Sequence, residues 1–277
     1  MTSVAPVAPP AVSADGLIGR GRTWLTWYVS RILAFCIVEV EKLRHDRSEL
    51  VTRAIQPALW LVVFGKTFSS LHAIPSGGVP YLDFLAPGVL AQSTLFVSVF
   101  YGIQVIWERD AGVLSKLMVT PTPRSALVTG KAFAAGMRAL SQAVVVIVLS
   151  LVLGVALLLA PWRLLGAGLV AVLGAAFFAS LSMTIAGLVL SRERLMGIGQ
   201  AITMPLFFAS NALYPIAVMP PWLQVIAKVN PLSYEVNALR GLLIGTPTNL
   251  WLDFGVLWLA VVVGILGATS VLPRLVR

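Results

Sequence analysis

The sequence has one cysteine and few charged residues. Cys36 has no second cysteine to pair with, which excludes an internal disulfide and a cysteine-based metal site. His45 and His72 lie in separate segments, so we expect no metal site. Charged residues make up 11% of the 277 residues, whereas soluble proteins carry about 25%. A soluble protein with a large helical core is disfavoured, because too few polar residues remain to cover its surface.

Nucleotide-binding and catalytic motifs are also missing. Residues 129–131, Thr-Gly-Lys, resemble the end of a phosphate-binding loop. That loop requires glycine where Ser125 stands and Ser or Thr where Ala132 stands. We therefore predict that the chain is not an enzyme and binds no cofactor of its own.

Apolar residues, 58% of the sequence, are gathered in long runs. A run of 18 or more such residues predicts a membrane-crossing helix. The sequence therefore predicts an all-α, polytopic membrane protein with six transmembrane helices, located in the cell membrane. The predicted spans lie at about residues 54–71, 82–107, 126–160, 164–190, 195–218 and 251–273. Glycine, alanine and serine in the fourth span predict close helix packing.

The amino-terminal region precedes these spans. Residues 1–22 are rich in Pro, Ala, Ser and Gly and lack the apolar stretch of a secretory signal, so we predict a disordered cytoplasmic tail. The transmembrane domain then occupies residues 23–277. Residues 23–49 predict an interfacial helix on the cytoplasmic leaflet, because their apolar part is too short to cross; a further span is the alternative. Pro57 is expected in the first turn of the first span, where its missing N–H costs little.

Two proline-containing breaks interrupt the sequence between the fifth and sixth spans. Pro220-Pro221 and Asn230-Pro231 divide it into two helical pieces, each too short to cross a bilayer. Trp222 suits a membrane interface. We predict a re-entrant helical hairpin that packs on the outer face of the bundle.

A basic segment, which we call the connector, joins the second and third spans. Five Lys or Arg residues oppose only Glu108 and Asp110 between residues 108 and 138. Lys and Arg favour the cytoplasmic side, and 16 of the 20 fall in segments assigned there if both termini are cytoplasmic. These cations flank apolar runs, so no nucleic-acid partner is expected. No Asp, Glu or His is predicted at mid-span, which disfavours a proton-coupled transporter.

Four stretches of the sequence resemble the membrane subunits of type 2 ATP-binding-cassette exporters, a group that includes daunorubicin-resistance-like drug-efflux permeases. The resemblance covers residues 24–272. Its stretches are RAIQPALWLVVFGKTF (53–68), YLDFLAPGVLAQ (81–92), ERDAGVLSKLMVTPTPRSALVTGK (108–131) and LFFASNALYPIAVMPPWLQVIAKVNPLSYEVNALRG (206–241).

The resemblance implies a half-transporter that pairs with a second membrane subunit, either identical or a paralogue. It also implies a separately encoded ATPase that holds ATP and Mg²⁺ and receives the connector as a coupling helix. The coupling residues would be Glu108, Arg109, Asp110, Leu114, Leu117, Thr120 and Pro121. Substrate would move along the dimer interface, lined by the first, second and fifth spans. The path candidates are Phe100, Tyr101, Met204, Phe207, Phe208 and Asn211.

The expected function is export of a hydrophobic or amphipathic small molecule, as in drug efflux, because most path candidates are apolar and bulky. An apolar lining also suits a lipid tail, so export of a lipid, glycolipid or polysaccharide is an alternative. Polar residues of the fifth span, including Asn211, either line the path or hold helices together. A membrane scaffold without transport is the alternative of another class, and a neighbouring reading frame for a cassette ATPase would argue against it.

Overall fold

The structure, a computed structural model, describes residues 16–45, 47–71, 78–120 and 122–275, and its regular elements there are all helical. A π-helix, Trp60–Gly65, joins α2 to α3, and 3₁₀ turns at Ile216–Val218 and Leu272–Leu275 follow α8 and α11. The α-helices are α1 (Gly16–His45), α2 (Arg47–Leu59), α3 (Lys66–Leu71), α4 (Tyr81–Asp110), α5 (Val113–Val119), α6 (Arg124–Val152), α7 (Pro161–Val189), α8 (Arg192–Phe208), α9 (Pro221–Val229), α10 (Pro231–Leu243) and α11 (Leu250–Val271).

Four helices of the described chain are long and apolar enough to cross a membrane. They match the second, third, fourth and sixth predicted spans, which confirms an all-helical, polytopic membrane protein; six spans remain a prediction. The helices of 29 or 30 residues are about 44 Å long, which exceeds the roughly 30 Å of hydrocarbon. The four segments are Tyr81–Asp110, Arg124–Val152, Pro161–Val189 and Leu250–Leu275.

Helix α7 lies at the centre of the bundle, in contact with α4, α6, α10 and α11. Gly168 packs against Leu140 of α6, and Gly174 packs against Glu235 of α10. Side chains at these positions would meet their neighbours, so the backbones approach closely because glycine is present. The close packing predicted from small residues is confirmed.

Two predicted spans end earlier than expected. The third ends at Val152 instead of residue 160, because Gly154 adopts a left-handed conformation (φ 83°) and residues 155–160 are not helical. The fifth ends at Phe208 instead of residue 218. Beyond it the backbone is no longer helical, and the carbonyls of Asn211 and Ala212 accept hydrogen bonds from the buried Arg240.

The first predicted span is an irregular helix that runs from Arg47 to Leu71 through the π-helix. Pro57 lies inside this helix and not in its first turn, which corrects the sequence prediction. Proline cannot donate a hydrogen bond to the carbonyl four residues earlier, that of Arg53. Gln142 of α6 donates to that carbonyl instead, at 3.3 Å from its Nε2.

Helix α1 packs lengthwise against the first half of α6. The Tyr28 and Thr129 hydroxyls are hydrogen-bonded at 3.2 Å, and Glu39 pairs with Arg138 further along both helices. The two helices therefore run side by side in the same direction. The helix begins at Gly16 and not at residue 23, while residues 1–15 of the predicted tail lie outside the described residues. An interfacial location for α1 remains a prediction.

Helices α9 and α10 form the hairpin expected between the fifth and sixth spans. Asn230 joins them: its Oδ1 accepts from the Leu232 N–H at 3.0 Å, and its Nδ2 donates to the carbonyls of Leu206 and Ala209. Trp222 and most of α9 are exposed. Helix α10 is buried against α4, α7 and α11, so this half lies within the bundle instead of on its outer face.

Candidate functional site

The end of α4 is joined to the corner between α7 and α8. Arg109 donates from Nη1 to the Leu190 carbonyl at 3.0 Å and from Nε to Asp110 at 2.9 Å. The other Asp110 oxygen accepts from Arg192 Nε at 2.6 Å. Leu190 is the one non-glycine residue with a positive φ (58°) in the described chain, so the corner is a tight, specific turn. These contacts therefore join the connector to the start of α8.

The connector itself turns at Gly112, whose φ of 70° suits glycine, and continues as α5. Leu114 is fully buried in the core, and Leu117 packs beside it. Glu108 accepts from the buried Lys131 of α6, so it belongs to the contact between α4 and α6. These three predicted coupling residues attach the connector to the bundle.

The side of α5 that points away from the bundle is exposed. Val119 is 88% exposed, and Val113 and Lys116 also face outward. Thr120 follows at the surface, where its hydroxyl donates to the Leu117 carbonyl at 2.6 Å. Pro121, the last predicted coupling residue, lies outside the described residues. An apolar and basic surface therefore stands at this end of the bundle.

A buried ion pair lies deeper in the bundle and was missed by the sequence analysis. The Glu39 and Arg138 side chains are 2% and 9% exposed. Tyr101, a predicted path residue, donates from its hydroxyl to Glu39 at 3.3 Å, and its ring lies 4.9 Å from the guanidinium of Arg138. Burial raises the pKa of the nearby Cys36 thiol, and the Glu39 carboxylate raises it further. Tyr101 thus faces α1 and α6.

The predicted path residues do not share one surface. Phe100, Met204 and Phe208 are exposed, whereas Phe207 and Asn211 are buried. A cavity of about 530 Å³, with almost entirely apolar walls, lies between α8 and α9. Phe208 lines this cavity, so α8 presents an apolar surface there.

Asn211 holds helices together. Its side chain donates to the Asn237 side chain at 2.6 Å, and its carbonyl accepts from Arg240 Nη2 at 2.7 Å. Arg240 also donates to the Phe84 carbonyl at 3.2 Å and lies 3.5 Å from the centre of the Phe84 ring. Asn211 was predicted either to line the path or to hold helices together, and these contacts favour the second role. Arg240 belongs to the hairpin that was predicted on the outer face, but it is buried.

Glu235 lies at the centre of the bundle with no exposed surface. One carboxylate oxygen accepts from the Thr94 hydroxyl at 2.7 Å, and the other lies over Gly174. Thr94 and Gly174 are near the middle of α4 and α7, both of them membrane-length helices. No acid was predicted at mid-span, and Glu235 reaches this depth because the hairpin helix α10 packs inside the bundle. Among the described residues, no three His, Cys, Asp or Glu side chains are grouped to hold a metal ion.

Comparison with known proteins gives consistent matches over most of the chain. The family model described as ABC-2 type transporter matches residues 31–244. The "Putative transport permease ycf38" of Porphyra purpurea is 29% identical over 202 residues, 72% of this chain and 69% of that protein. The "Daunorubicin resistance ABC transporter permease protein DrrB1" of Streptomyces coeruleorubidus is 28% identical over 204 residues, 73% and 71% of the two chains. "Nodulation protein J" of Rhizobium leguminosarum bv. viciae is 29% identical over 200 residues, 71% and 76%.

Proposed function

Because the chain belongs to the ABC-2 type transporter family, we propose that it exports a hydrophobic or amphipathic small molecule, as in drug efflux, driven by a separate cassette ATPase. Permeases of this family work with an ATPase subunit and have no ATPase activity or cofactor of their own. ATP and Mg²⁺ therefore bind in the partner. The permease lies in the plasma membrane with both termini cytoplasmic, an orientation supported by the distribution of Lys and Arg.

The exposed face of α5 supports this proposal most directly. Val113, Lys116 and Val119 project from a helix that is fixed to the bundle by the buried Leu114. A rigidly attached helix can transmit a push, whereas a loose loop cannot. The ATPase binds this face, and the contacts of Asp110 carry the displacement to α8.

The substrate moves along the surface formed by α4 and α8, where a second copy or a paralogue completes the path. Phe100 on α4 and Met204 and Phe208 on α8 are exposed and suit an apolar or amphipathic substrate. Tyr101, Phe207 and Asn211 stabilise the helices that carry these side chains. Export of a lipid, glycolipid or polysaccharide is the second candidate, because an apolar surface also suits a lipid tail and the relatives' names mention both daunorubicin resistance and nodulation. A membrane scaffold without transport is a weaker one.

Co-purification tests the proposal. The permease is expressed with a cassette ATPase from the same genome, and the wild-type pair should co-purify and hydrolyse ATP faster when apolar drugs are added. The substitution Val119→Asp should weaken ATPase binding about tenfold, since one central apolar contact is worth 1–3 kcal/mol. Its thermal midpoint should stay unchanged because Val119 is exposed.

Leu114→Ala is the matched control on the same helix, and it should lower the thermal midpoint because Leu114 is fully buried. Failure of the wild-type pair to co-purify in several detergents would contradict the function. Unchanged ATPase binding by Val119→Asp would instead remove α5 as the docking surface.

A further inference from the structure

A polar pocket of about 250 Å³ lies between α2, α4 and α6, away from the surface of α8. Its polar side chains come from three helices, and none of the described residues that line it is acidic. The lining includes Thr52, Arg53, Gln56, Ser93, Phe96 and Gln142.

The pocket lies at membrane depth. Ser93 and Phe96 are at the middle of α4, and Gln142 is ten residues, or about 15 Å, from the end of α6. Both helices are of membrane-crossing length. Arg53 directly precedes the first predicted span, and the bond from Gln142 to its carbonyl places its backbone at this depth. Arg53 lines the pocket and brings a positive charge to it, and ionisable side chains at membrane depth often mark a substrate or ion path.

The pocket is built around the break that Pro57 makes in the helix. Gln142 uses its Nε2 to satisfy the Arg53 carbonyl that Pro57 cannot reach. The side chain of Gln142 is 2% exposed, and its Oε1 has no hydrogen-bond partner. Ser93 donates to the Val89 carbonyl at 2.8 Å, which leaves its oxygen able to accept. A buried amide oxygen without a partner costs about 1–3 kcal/mol, so a group in the pocket that donates to it would be stabilising.

We propose that this pocket binds the anionic head group of an amphipathic molecule. A phosphate or carboxylate would contact Arg53, and a hydroxyl or amino group of the same head group would donate to Gln142. A volume of about 250 Å³ equals roughly eight waters, too large for one bridging water and small for a whole drug-sized ligand. The tail would lie outside, along Ile55 and Leu59, which are exposed one turn beyond Thr52 and Gln56.

The binding requires only that α4 and α6 cross the membrane, so it can be tested apart from transport. The purified permease is placed in nanodiscs that contain phosphatidylglycerol and phosphatidylcholine with the same acyl chains. Lipid retained by the protein is measured by native mass spectrometry. Arg53→Gln removes the positive charge, and the control Arg124→Gln removes an exposed cation at the start of α6.

The wild type and Arg124→Gln should retain phosphatidylglycerol in preference to phosphatidylcholine. Arg53→Gln should lower this preference about tenfold, the loss expected for one hydrogen bond to a charged group. Should Arg53→Gln fail to fold, Ser93→Leu tests the same site, because it fills the pocket and leaves the charge. Equal retention of both lipids by the wild type, or unchanged retention in Ser93→Leu, would overturn the assignment.

A second arm identifies the source of the head group. Proteoliposomes with the cassette ATPase and fluorescent phosphatidylglycerol are assayed for movement between leaflets by dithionite quenching. ATP-driven movement that Arg53→Gln abolishes would make the bound molecule a substrate. Selective retention without movement would make it a resident lipid, and the pocket assignment would stand in both cases. If no probe of any kind moves, the proposed export function fails while the binding result remains valid.

Discussion

The buried pair of Glu39 and Arg138 predicts strongly non-additive effects of mutation. Glu39→Leu removes the carboxylate that pairs with the buried Arg138 guanidinium, and Arg138→Met removes that guanidinium from the buried Glu39. Each single substitution should lower the free energy of unfolding by about 3–5 kcal/mol, because both side chains are almost fully buried. The double substitution removes both buried charges together and takes the Glu39 acceptor away from the Tyr101 hydroxyl, so it should cost less, about 1–3 kcal/mol.

The measurement is unfolding of the purified permease in mixed micelles, followed by tryptophan fluorescence. Glu41 and Arg44 provide a matched control on the same helix, since this pair is 56% and 73% exposed and should contribute less than about 1 kcal/mol. Additive losses for Glu39 and Arg138, or single losses as small as those of the control, would refute the packing of α1 against α6.

Two further predictions concern positions where one helix adapts to another. Gly174→Ala should destabilise the protein by about 1–3 kcal/mol, because the added methyl group would overlap the buried Glu235 carboxylate. Gly197→Ala, in open space on α8, should stabilise the protein by about 0.5–1 kcal/mol. Thermal midpoints that move in the same direction in both variants would contradict this. Gln142→Leu should cost about 1–3 kcal/mol by leaving the Arg53 carbonyl unbonded, and should cost about 1 kcal/mol less in a Pro57→Ala background, where residue 57 regains its N–H. Equal costs in both backgrounds, measured by the same unfolding assay, would show that the proline does not create the need for Gln142.

The membrane helices could be predicted because their signal is local. The length of an apolar run can be read directly from the sequence. The second and sixth predicted spans, 82–107 and 251–273, therefore lie close to the observed helices Tyr81–Asp110 and Leu250–Val271. The predicted end of the third span is wrong. Residues 155–160 are apolar, but the helix ends before Gly154, which adopts a left-handed conformation. Hydropathy records which residues tolerate lipid and does not record backbone conformation.

The buried charges could not be predicted because their partners are distant in sequence. Glu39 meets Arg138, 99 residues away, and Glu235 meets Thr94, 141 residues away. From sequence, charges are assigned to surfaces, since an unpaired charge in lipid is costly. That rule fails wherever another helix supplies the partner. The only local sign is an acid enclosed by apolar residues, as Glu39 is in the run Ile-Val-Glu-Val.

The polar contacts are concentrated at the two ends of α8, and this distribution bears on how the transporter works. Its first residue, Arg192, is bonded to Asp110, and the carbonyl of Leu206 near its other end accepts from Asn230. Between these ends only Leu195, Gly199, Thr203 and Phe207 are buried, so the middle of the helix packs on a narrow strip. A helix that is bonded at its ends and loosely packed between them moves as a unit at small cost. We therefore expect a push on the connector to shift the whole exposed face of α8, including Phe208, without unfolding the helix.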